Sequence, residues 1–217
     1  MTCEGIDLPL VQAWVRLHPD AFVEAYPLRR VNNVYFDSHE MHCLEDNLVG
    51  VGERSKLRFR WYGTGYSAVQ GFLELKHKSG QVGWKDQCPI DAVLDLSSGT
   101  WTDLVRQIKA RASGAAALWL AHADQPVLIN GYTREYYESA DRQVRVTIDC
   151  NHVAYEQMMH AAPNLVARSH TRGPVIIEVK ADATLHRRVS DVLRTFPLPT
   201  GRHSKYVSGL LGSLCFL

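Results

Sequence analysis

The sequence lacks a clear excess of either charge, a long apolar run and a paired set of cysteines. Its 24 Lys and Arg balance 23 Asp and Glu, so the net charge is +1. Nucleic-acid-binding domains are usually strongly basic, and no nucleic-acid partner is predicted. The most apolar stretches, 115–121 and 207–217, are too short or too rich in Gly and Ser to cross a bilayer. We therefore expect no transmembrane segment in this chain.

The cysteines lead to a second exclusion. They stand at 3, 43, 88, 150 and 215, an odd count without a C-x-x-C pair, which argues against a zinc ribbon or a disulfide framework. The N-terminus also lacks the apolar core and cleavage site of a secretory signal. These features predict a cytoplasmic protein. No Gly-rich phosphate loop, Ser/His/Asp constellation or nucleotide fingerprint stands in the sequence.

An ordinary globular composition accompanies these absences. The 217 residues are 46% hydrophobic and 22% charged, enough to bury a sizeable core, and we expect a single domain over residues 1–217. Strands, some joined as hairpins, alternate with helical segments and predict a mainly antiparallel α+β fold. The predicted strands are 31–36, 55–61, 71–78, 81–90, 127–137, 143–152 and 175–180, and the predicted helices are 8–18, one that begins near Ser38, 101–121 with a break at Ser113-Gly114, 184–195 and 204–214.

Each of several predicted strands carries ionic side chains on one face. Successive side chains in a strand point to opposite faces, and in 56–61 the basic residues share one face while Leu57, Phe59 and Trp61 share the other. The same alternation repeats in the later strands. The ionic and polar residues placed in this way are Lys56, Arg58, Arg60, Glu74, Lys76, Lys78, Arg134, Arg145, Thr147, Asp149, Glu178 and Lys180.

This alternation has two interpretations. In the first, an antiparallel sheet packs on helices by its apolar face and exposes the charged face to water. In the second, the sheet closes into a barrel with the charges inside and helices over its apolar exterior. Buried charges are costly when unpaired, so such an interior must hold counter-charges, water or a polyanion.

Two local patterns favour the second interpretation. Arg58-x-Arg60 places two guanidinium groups about 7 Å apart on one face, because a strand rises ~3.3 Å per residue, and this suits successive phosphates. Glu-x-Lys occurs in two strands, as Glu74/Lys76 and Glu178/Lys180. Each pair combines a carboxylate that can ligate a metal with a lysine that can contact a phosphate.

These residues resemble the VTC domain, the polyphosphate polymerase domain of the CYTH-like, triphosphate tunnel superfamily. The similar segments follow the order of that family over nearly the whole chain. They are Val31-Asn-Asn-Val-Tyr-Phe-Asp, Lys56-Leu-Arg-Phe-Arg-Trp-Tyr-Gly, Phe72-Leu-Glu-Leu-Lys, Tyr132-Thr-Arg-Glu-Tyr-Tyr, Arg145-Val-Thr-Ile-Asp, Ile177-Glu-Val-Lys and Ser204-Lys-Tyr.

The resemblance implies a closed antiparallel tunnel of about eight strands, with helices outside and charges inside. It further implies that Mn²⁺ or Mg²⁺ assists transfer of the γ-phosphate of ATP onto a growing polyphosphate chain. The catalytic residues are then expected to be Arg58, Arg60, Lys76 and Arg134. The substrate-binding residues are expected to be Lys56, Lys78, Lys85, Arg145, Lys180 and Lys205, and the metal ligands Glu178 and Glu74.

One departure from the family pattern bears on activity. Family members begin with a strand bearing a Glu-x-Lys motif before the segment that corresponds here to Cys3–Pro9, and this strand is expected to be truncated. Two alternatives to the polymerase stay open. One is a triphosphate hydrolase of the same superfamily, which Glu-x-Lys in place of Glu-x-Glu disfavours. The other is a non-catalytic polyphosphate-binding module, which the truncated strand motivates. The expected partners are ATP and inorganic polyphosphate, and a membrane-bound partner protein is compatible with the sequence.

Overall fold

The computed structural model of the chain describes residues 1–80, 82–169, 174–199, 201 and 203–214. Eight strands and six α-helices make up this part of the chain. The strands are β1 (Thr2–Cys3), β2 (Val23–Asp37), β3 (Glu53–Tyr62), β4 (Val69–Ser79), β5 (Val82–Leu94), β6 (Gln125–Glu138), β7 (Val144–Glu156) and β8 (Val175–Ala181). The helices are α1 (Leu8–Arg16), α2 (His42–Val49), α3 (Trp101–Lys109), α4 (Gly114–His122), α5 (His186–Arg194) and α6 (Lys205–Leu214).

The strands form one sheet in the order β1-β8-β7-β6-β2-β3-β4-β5. Neighbours with an assigned register, among them β3 with β4 and β7 with β8, run antiparallel. This confirms the predicted antiparallel α+β class. Among the described residues the order is open, with β1 and β5 as its ends, so these pairings do not show the closed tunnel that the resemblance implies.

Most of the predicted elements are present, including the break in the long helical segment. Gly114 adopts a positive φ of 61° and separates α3 from α4, which glycine tolerates because it has no Cβ. The first half of β2 was not predicted. From Val23 to Leu28 its side chains are largely exposed, so the sequence there carries no apolar alternation.

The chain divides into two compact units, and the division falls within β2, β6 and β7. Unit 1 comprises 1–30, 132–152 and 171–204, and unit 2 comprises 31–131, 153–170 and 205–217. Each unit has a core of its own. In unit 2 the apolar faces of β3 and β4, with Leu57, Phe59 and Leu73, pack against helical residues such as Leu104 and Leu120.

Unit 1 follows the same rule with a different set of helices. Val144, Val146 and Ile148 of β7 are fully buried against Val11 of α1 and Val192 of α5. Because side chains alternate along a strand, burying these valines and isoleucine turns Arg145, Thr147 and Asp149 to the other face. In both units the helices thus cover the apolar faces of the strands, and the ionic side chains lie on the opposite faces.

No helix in the described part of the chain is both long and apolar enough to cross a membrane.

Candidate functional site

Unit 2 carries a face of basic side chains on its three consecutive strands β3, β4 and β5. Alternation within each strand and antiparallel register between strands set these residues side by side. We call this set the basic face: Arg54, Lys56, Arg58 and Arg60 of β3, Lys76 and Lys78 of β4, and Lys85 of β5.

Three lysines of the basic face lie directly opposite one another. Lys56 pairs in register with Lys76, and Lys76 pairs with Lys85. Like charges in directly opposed positions destabilise a sheet. Burial, reinforced by the charges of Lys76, Arg54 and Arg58, lowers the pKa of Lys56 to about 7. The lysine row is therefore a place where an anion would relieve repulsion.

The carboxylate of Glu74 lies among the side chains of the basic face, and Glu74 is 1% exposed. Its Oε1 accepts a hydrogen bond from Arg58, while its Oε2 lies 3.2 Å from Lys85 Nζ and 3.8 Å from Arg60 Nη1. Gln87 Nε2 donates to Oε2 as well, at 3.2 Å. Burial alone would raise the pKa of Glu74, but these cations outweigh it and hold the pKa well below its usual range.

This arrangement does not fit the prediction that Glu74 is a metal ligand. Both of its oxygens are taken by cationic donors, and a metal ion would have to displace them against their own repulsion. Glu74 instead fixes the guanidinium groups of Arg58 and Arg60 in the sheet.

The two arginines have further neutral partners that orient them. Arg58 Nη1 donates to Tyr35 Oη at 3.0 Å, and Arg60 Nε donates to Asn33 Oδ1 at 2.8 Å. Asn33 in turn donates to Asn130 Oδ1 at 2.8 Å, and both amides are buried. Such preorganised guanidinium groups lose little freedom when they bind an anion.

Helix α6 is anchored beside the lysine row by a buried hydrogen bond. Tyr206 donates to Asp37 Oδ2, and the Lys56 ammonium lies 5.5 Å from the centre of the Tyr206 ring. Asp37 also accepts from the backbone N–H groups of Cys43 and Leu44 at the start of α2. Lys205 precedes Tyr206 and is the first residue of α6. It stays a predicted phosphate contact.

Unit 1 holds a second cluster of charges, built around a buried ion pair. Arg134 donates to both oxygens of Asp149, at 2.6 and 2.7 Å, and Asp149 is 0% exposed. The guanidinium carbon lies 5.2 Å from the centre of the Tyr132 ring and 5.8 Å from that of Tyr136. Burial would lower the pKa of Arg134, but Tyr132, Asp149 and Glu178 raise it well above its ordinary value.

Glu178 stands next to this pair and is more accessible. Its Oε2 lies 2.7 Å from Lys180 Nζ and 3.9 Å from Arg134 Nη2, and 29% of its side chain is exposed. Its partner across the strands is Thr147, whose buried Oγ1 has no hydrogen-bond partner in the described structure. A buried hydroxyl without a partner is costly, so an ordered water or a hydrated ion fits this place.

These residues fit a metal ion that is held jointly with a substrate. No group of three or more His, Cys, Asp or Glu side chains that could hold a metal occurs in the described part of the chain. Mg²⁺ and Mn²⁺ commonly take one or two carboxylates and complete their shell with water and phosphate oxygens. Glu178 can supply that one carboxylate.

The remaining predicted residues lie in looser surroundings. The side chain of Arg145 is 69% exposed, and its Nε lies as far as 4.0 Å from Glu138 Oε1. The side chain of Lys180 is 57% exposed. Cross-strand position places both of them on the ionic face of unit 1, opposite each other. They remain predicted substrate contacts with freedom to move.

The structure links a serine, a histidine and an aspartate, although no Ser/His/Asp constellation is evident in the sequence. On the face of β3–β5 opposite the basic face, Ser55 Oγ lies 2.7 Å from His77 Nδ1, and His77 Nε2 lies 3.2 Å from Asp86 Oδ2. Ser55 is 9% exposed, and the ring of His77 stacks on Trp84 at 5.1 Å. This chain of bonds ties three strands together.

Known proteins resemble this chain in sequence and in fold. The family model that describes the VTC domain matches residues 8–213. A search of curated proteins found no match. The PH1819 protein from Pyrococcus horikoshii OT3 has a similar structure, with a TM-score of 0.50 and 16% identity over 93% of this chain and 92% of that chain.

A second solved structure is similar at a lower score. It is a putative adenylyl cyclase from Hippeastrum, HpAC1, described as having a dominant triphosphatase activity. The TM-score is 0.47, with 14% identity over 98% of this chain and 93% of that chain. At these identities the likeness to PH1819 supports the fold alone.

Proposed function

Because the chain belongs to the VTC domain family, we propose that it binds inorganic polyphosphate and ATP and transfers the γ-phosphate of ATP to the growing polyphosphate chain. The observation that supports this most directly is the lysine row Lys56–Lys76–Lys85 in the register of the basic face. Like charges in directly opposed positions repel each other, and an anion bound across the row would offset that repulsion.

The basic face suits a chain of phosphates better than a single anion. Arg58 and Arg60 lie about 7 Å apart along β3, and neighbouring rows of the sheet lie ~4.8 Å apart. Cations thus recur in both directions across the three strands, and Lys205 adds one at the start of α6. A linear polyanion can contact several of them at once, which raises its affinity above that of one phosphate.

Phosphoryl transfer makes few chemical demands on the protein beyond position and charge. The reaction needs the two reacting oxygens in line and the charge of the transferred group neutralised. Arginine and lysine side chains supply that neutralisation. The accepting oxygen of a polyphosphate chain is already ionised, so no strong general base is required.

A divalent ion would be held by Glu178 and by the phosphate oxygens themselves, as Mn²⁺ or Mg²⁺ requires. When bound, it would screen charge on the transferred group. Glu178 and Lys180 form an ion pair in the structure, and a phosphate that attracts Lys180 would release the carboxylate for that task. We place the reaction in the cytoplasm, on the sequence features described above.

The test is an incubation of the purified protein with γ-labelled ATP and Mn²⁺, with the products resolved on a gel. The proposal predicts a ladder of lengthening polyphosphate that is reduced at least tenfold in Glu178→Gln. The exposed Glu53→Gln variant of β3 is the matched control and keeps wild-type activity. Label recovered as orthophosphate alone would show a hydrolase, and label left wholly in ATP, with polyphosphate still bound, would show a binding module. Either result contradicts the polymerase.

A further inference from the structure

A stack of alternating tyrosine and arginine side chains runs through unit 1 on the ionic face of β6. The inner part is Tyr132, Arg134 and Tyr136, which alternation places on one face of that strand. The outer part comes from β2. Arg29 lies 5.1 Å from the centre of the Tyr26 ring and 5.8 Å from that of Tyr136.

The two ends of this stack differ in exposure. At the inner end Tyr132 is 1% exposed and the adjacent Arg134 is 8% exposed. At the outer end Tyr26 is 51% exposed, although its ring contacts Tyr136 edge to face at 5.6 Å. Tyr26 is followed by Pro27, whose ring restricts the local backbone. Contact with Tyr136 and the restricted backbone therefore hold the half-exposed Tyr26 in place beside the exposed Arg29. Part of the Tyr26 ring stays accessible.

We infer that Tyr26 and Arg29 form a stacking platform for the base of a nucleoside triphosphate, an inference that rests on the proposed function. Bases stack on tyrosine rings and on guanidinium planes. A nucleoside triphosphate has a flat ring at one end and a polyanion at the other. The stack matches it, since its outer end offers ring surface and its inner part contains the predicted phosphate contact Arg134.

The same geometry indicates which nucleotides are accepted. A stack contacts the face of a base and not its hydrogen-bonding edge, so it tolerates different bases. ATP and GTP should bind with affinities within about threefold of each other, and both should bind more tightly than inorganic tripolyphosphate, which has no ring to stack.

The test compares binding of a non-hydrolysable ATP analogue and of tripolyphosphate by calorimetry in the full-length protein. Tyr26→Ala should weaken the analogue by about 5- to 150-fold, the range seen when a stacking aromatic is removed, and leave tripolyphosphate unchanged. Tyr26→Phe keeps the ring and should restore binding. Leu28→Ala, an exposed apolar truncation in the same strand, is the matched control and should change neither.

The outcomes separate the inference from the function on which it rests. Equal losses for both ligands in Tyr26→Ala, or no loss for either, would overturn the platform. A wild-type protein that binds tripolyphosphate as tightly as the analogue would also overturn it while leaving the proposed function intact. A wild-type protein that binds neither ligand would overturn both.

Discussion

Among single residues, Lys56 lies where a positive charge is unfavourable unless an anion is bound. Its side chain is partly buried against Tyr206 and faces Lys76 across the strands. Burial and the neighbouring cations lower its pKa to about 7, whereas an unfolded lysine titrates near 10.4. The ammonium form is thus disfavoured until an anion arrives.

The first prediction concerns the pH dependence of tripolyphosphate binding. Below pH 7 Lys56 is already protonated, and above pH 7 it must take up a proton as the anion binds. Affinity due to this residue should therefore fall as the pH rises from about 6.5 to 8.5. Calorimetry should show a smaller fall in Lys56→Met than in the wild type.

Tripolyphosphate also titrates between about pH 6.5 and 8.5. The contribution of Lys56 is therefore the difference in affinity change between the wild type and Lys56→Met. Proton uptake can be measured in buffers of different ionisation enthalpy. If wild type and Lys56→Met take up the same number of protons at pH 8, the anion does not engage Lys56.

The second prediction concerns the buried pair of unit 1. Asp149→Asn removes the charge that compensates the buried Arg134, and breaking a buried pair typically costs about 3–5 kcal/mol. Urea unfolding should show a loss of that size. Arg145→Gln, on the same strand but 69% exposed, should stay within about 0.5 kcal/mol of the wild type. Similar small losses in both variants would mean that the Asp149 pair contributes little.

The sequence allowed the basic residues of the site to be predicted but not their partners. Alternation in 56–61 is enough to place Lys56, Arg58 and Arg60 on one face. The pairing of Arg134 with Asp149 depends on the contact of β6 with β7, and which carboxylate is saturated by cations depends on three-dimensional neighbours. Glu74 and Glu178 therefore look equivalent in sequence, as Glu-x-Lys motifs, and differ in the structure.

At the scale of elements, Glu74 links three strands through one carboxylate. It contacts Arg58 and Arg60 of β3 and Lys85 of β5 from its place on β4. The third prediction is that Glu74→Gln lowers the free energy of unfolding by about 3 kcal/mol or more, because it leaves buried cations uncompensated. The same change should tighten tripolyphosphate binding, since the freed cations attract the anion more strongly.

The control for this prediction is Glu53→Gln, which removes an exposed carboxylate from the neighbouring strand. It should change neither stability nor binding appreciably. Weaker tripolyphosphate binding in Glu74→Gln, together with weaker Mn²⁺ binding, would restore Glu74 as a metal ligand and contradict the assignment made here.

The strands that could be predicted from sequence are those with one buried face, because apolar residues then recur at every second position. The strands β3, β4, β7 and β8 alternate apolar and polar residues because helices cover one face. The helices α3 and α4 are separated at Gly114, which tolerates a positive φ. The first half of β2 has exposed side chains at most positions. Its strand conformation depends on pairing with neighbours, which leaves no pattern in its own sequence.

At the scale of the whole molecule, near neutrality conceals segregation of charge. The net charge is +1, yet the basic face gathers cations around a single buried glutamate, and the ionic face of unit 1 gathers carboxylates with its arginine and lysine. The global charge gives no sign of nucleic-acid binding, whereas the local pattern predicts a polyanion. The strand faces and the family resemblance together made the α+β class and the antiparallel sheet predictable.

Whether the basic face binds phosphate chains can be decided from the affinity of the Lys76→Gln variant for tripolyphosphate at several salt concentrations. Lys76 is the middle of the lysine row and is exposed, so its replacement should leave the fold intact. We expect the affinity of this variant for tripolyphosphate to fall by at least about tenfold, as for the loss of a charge-assisted contact. The affinity should also depend less steeply on salt concentration than that of the wild type.

Lys109→Gln removes the same charge from α3, where Lys109 pairs with Asp124 at 2.6 Å, and should bind like the wild type. Equal affinities and salt dependences for the wild type and both variants would contradict the assignment of the basic face as the binding site for phosphate chains.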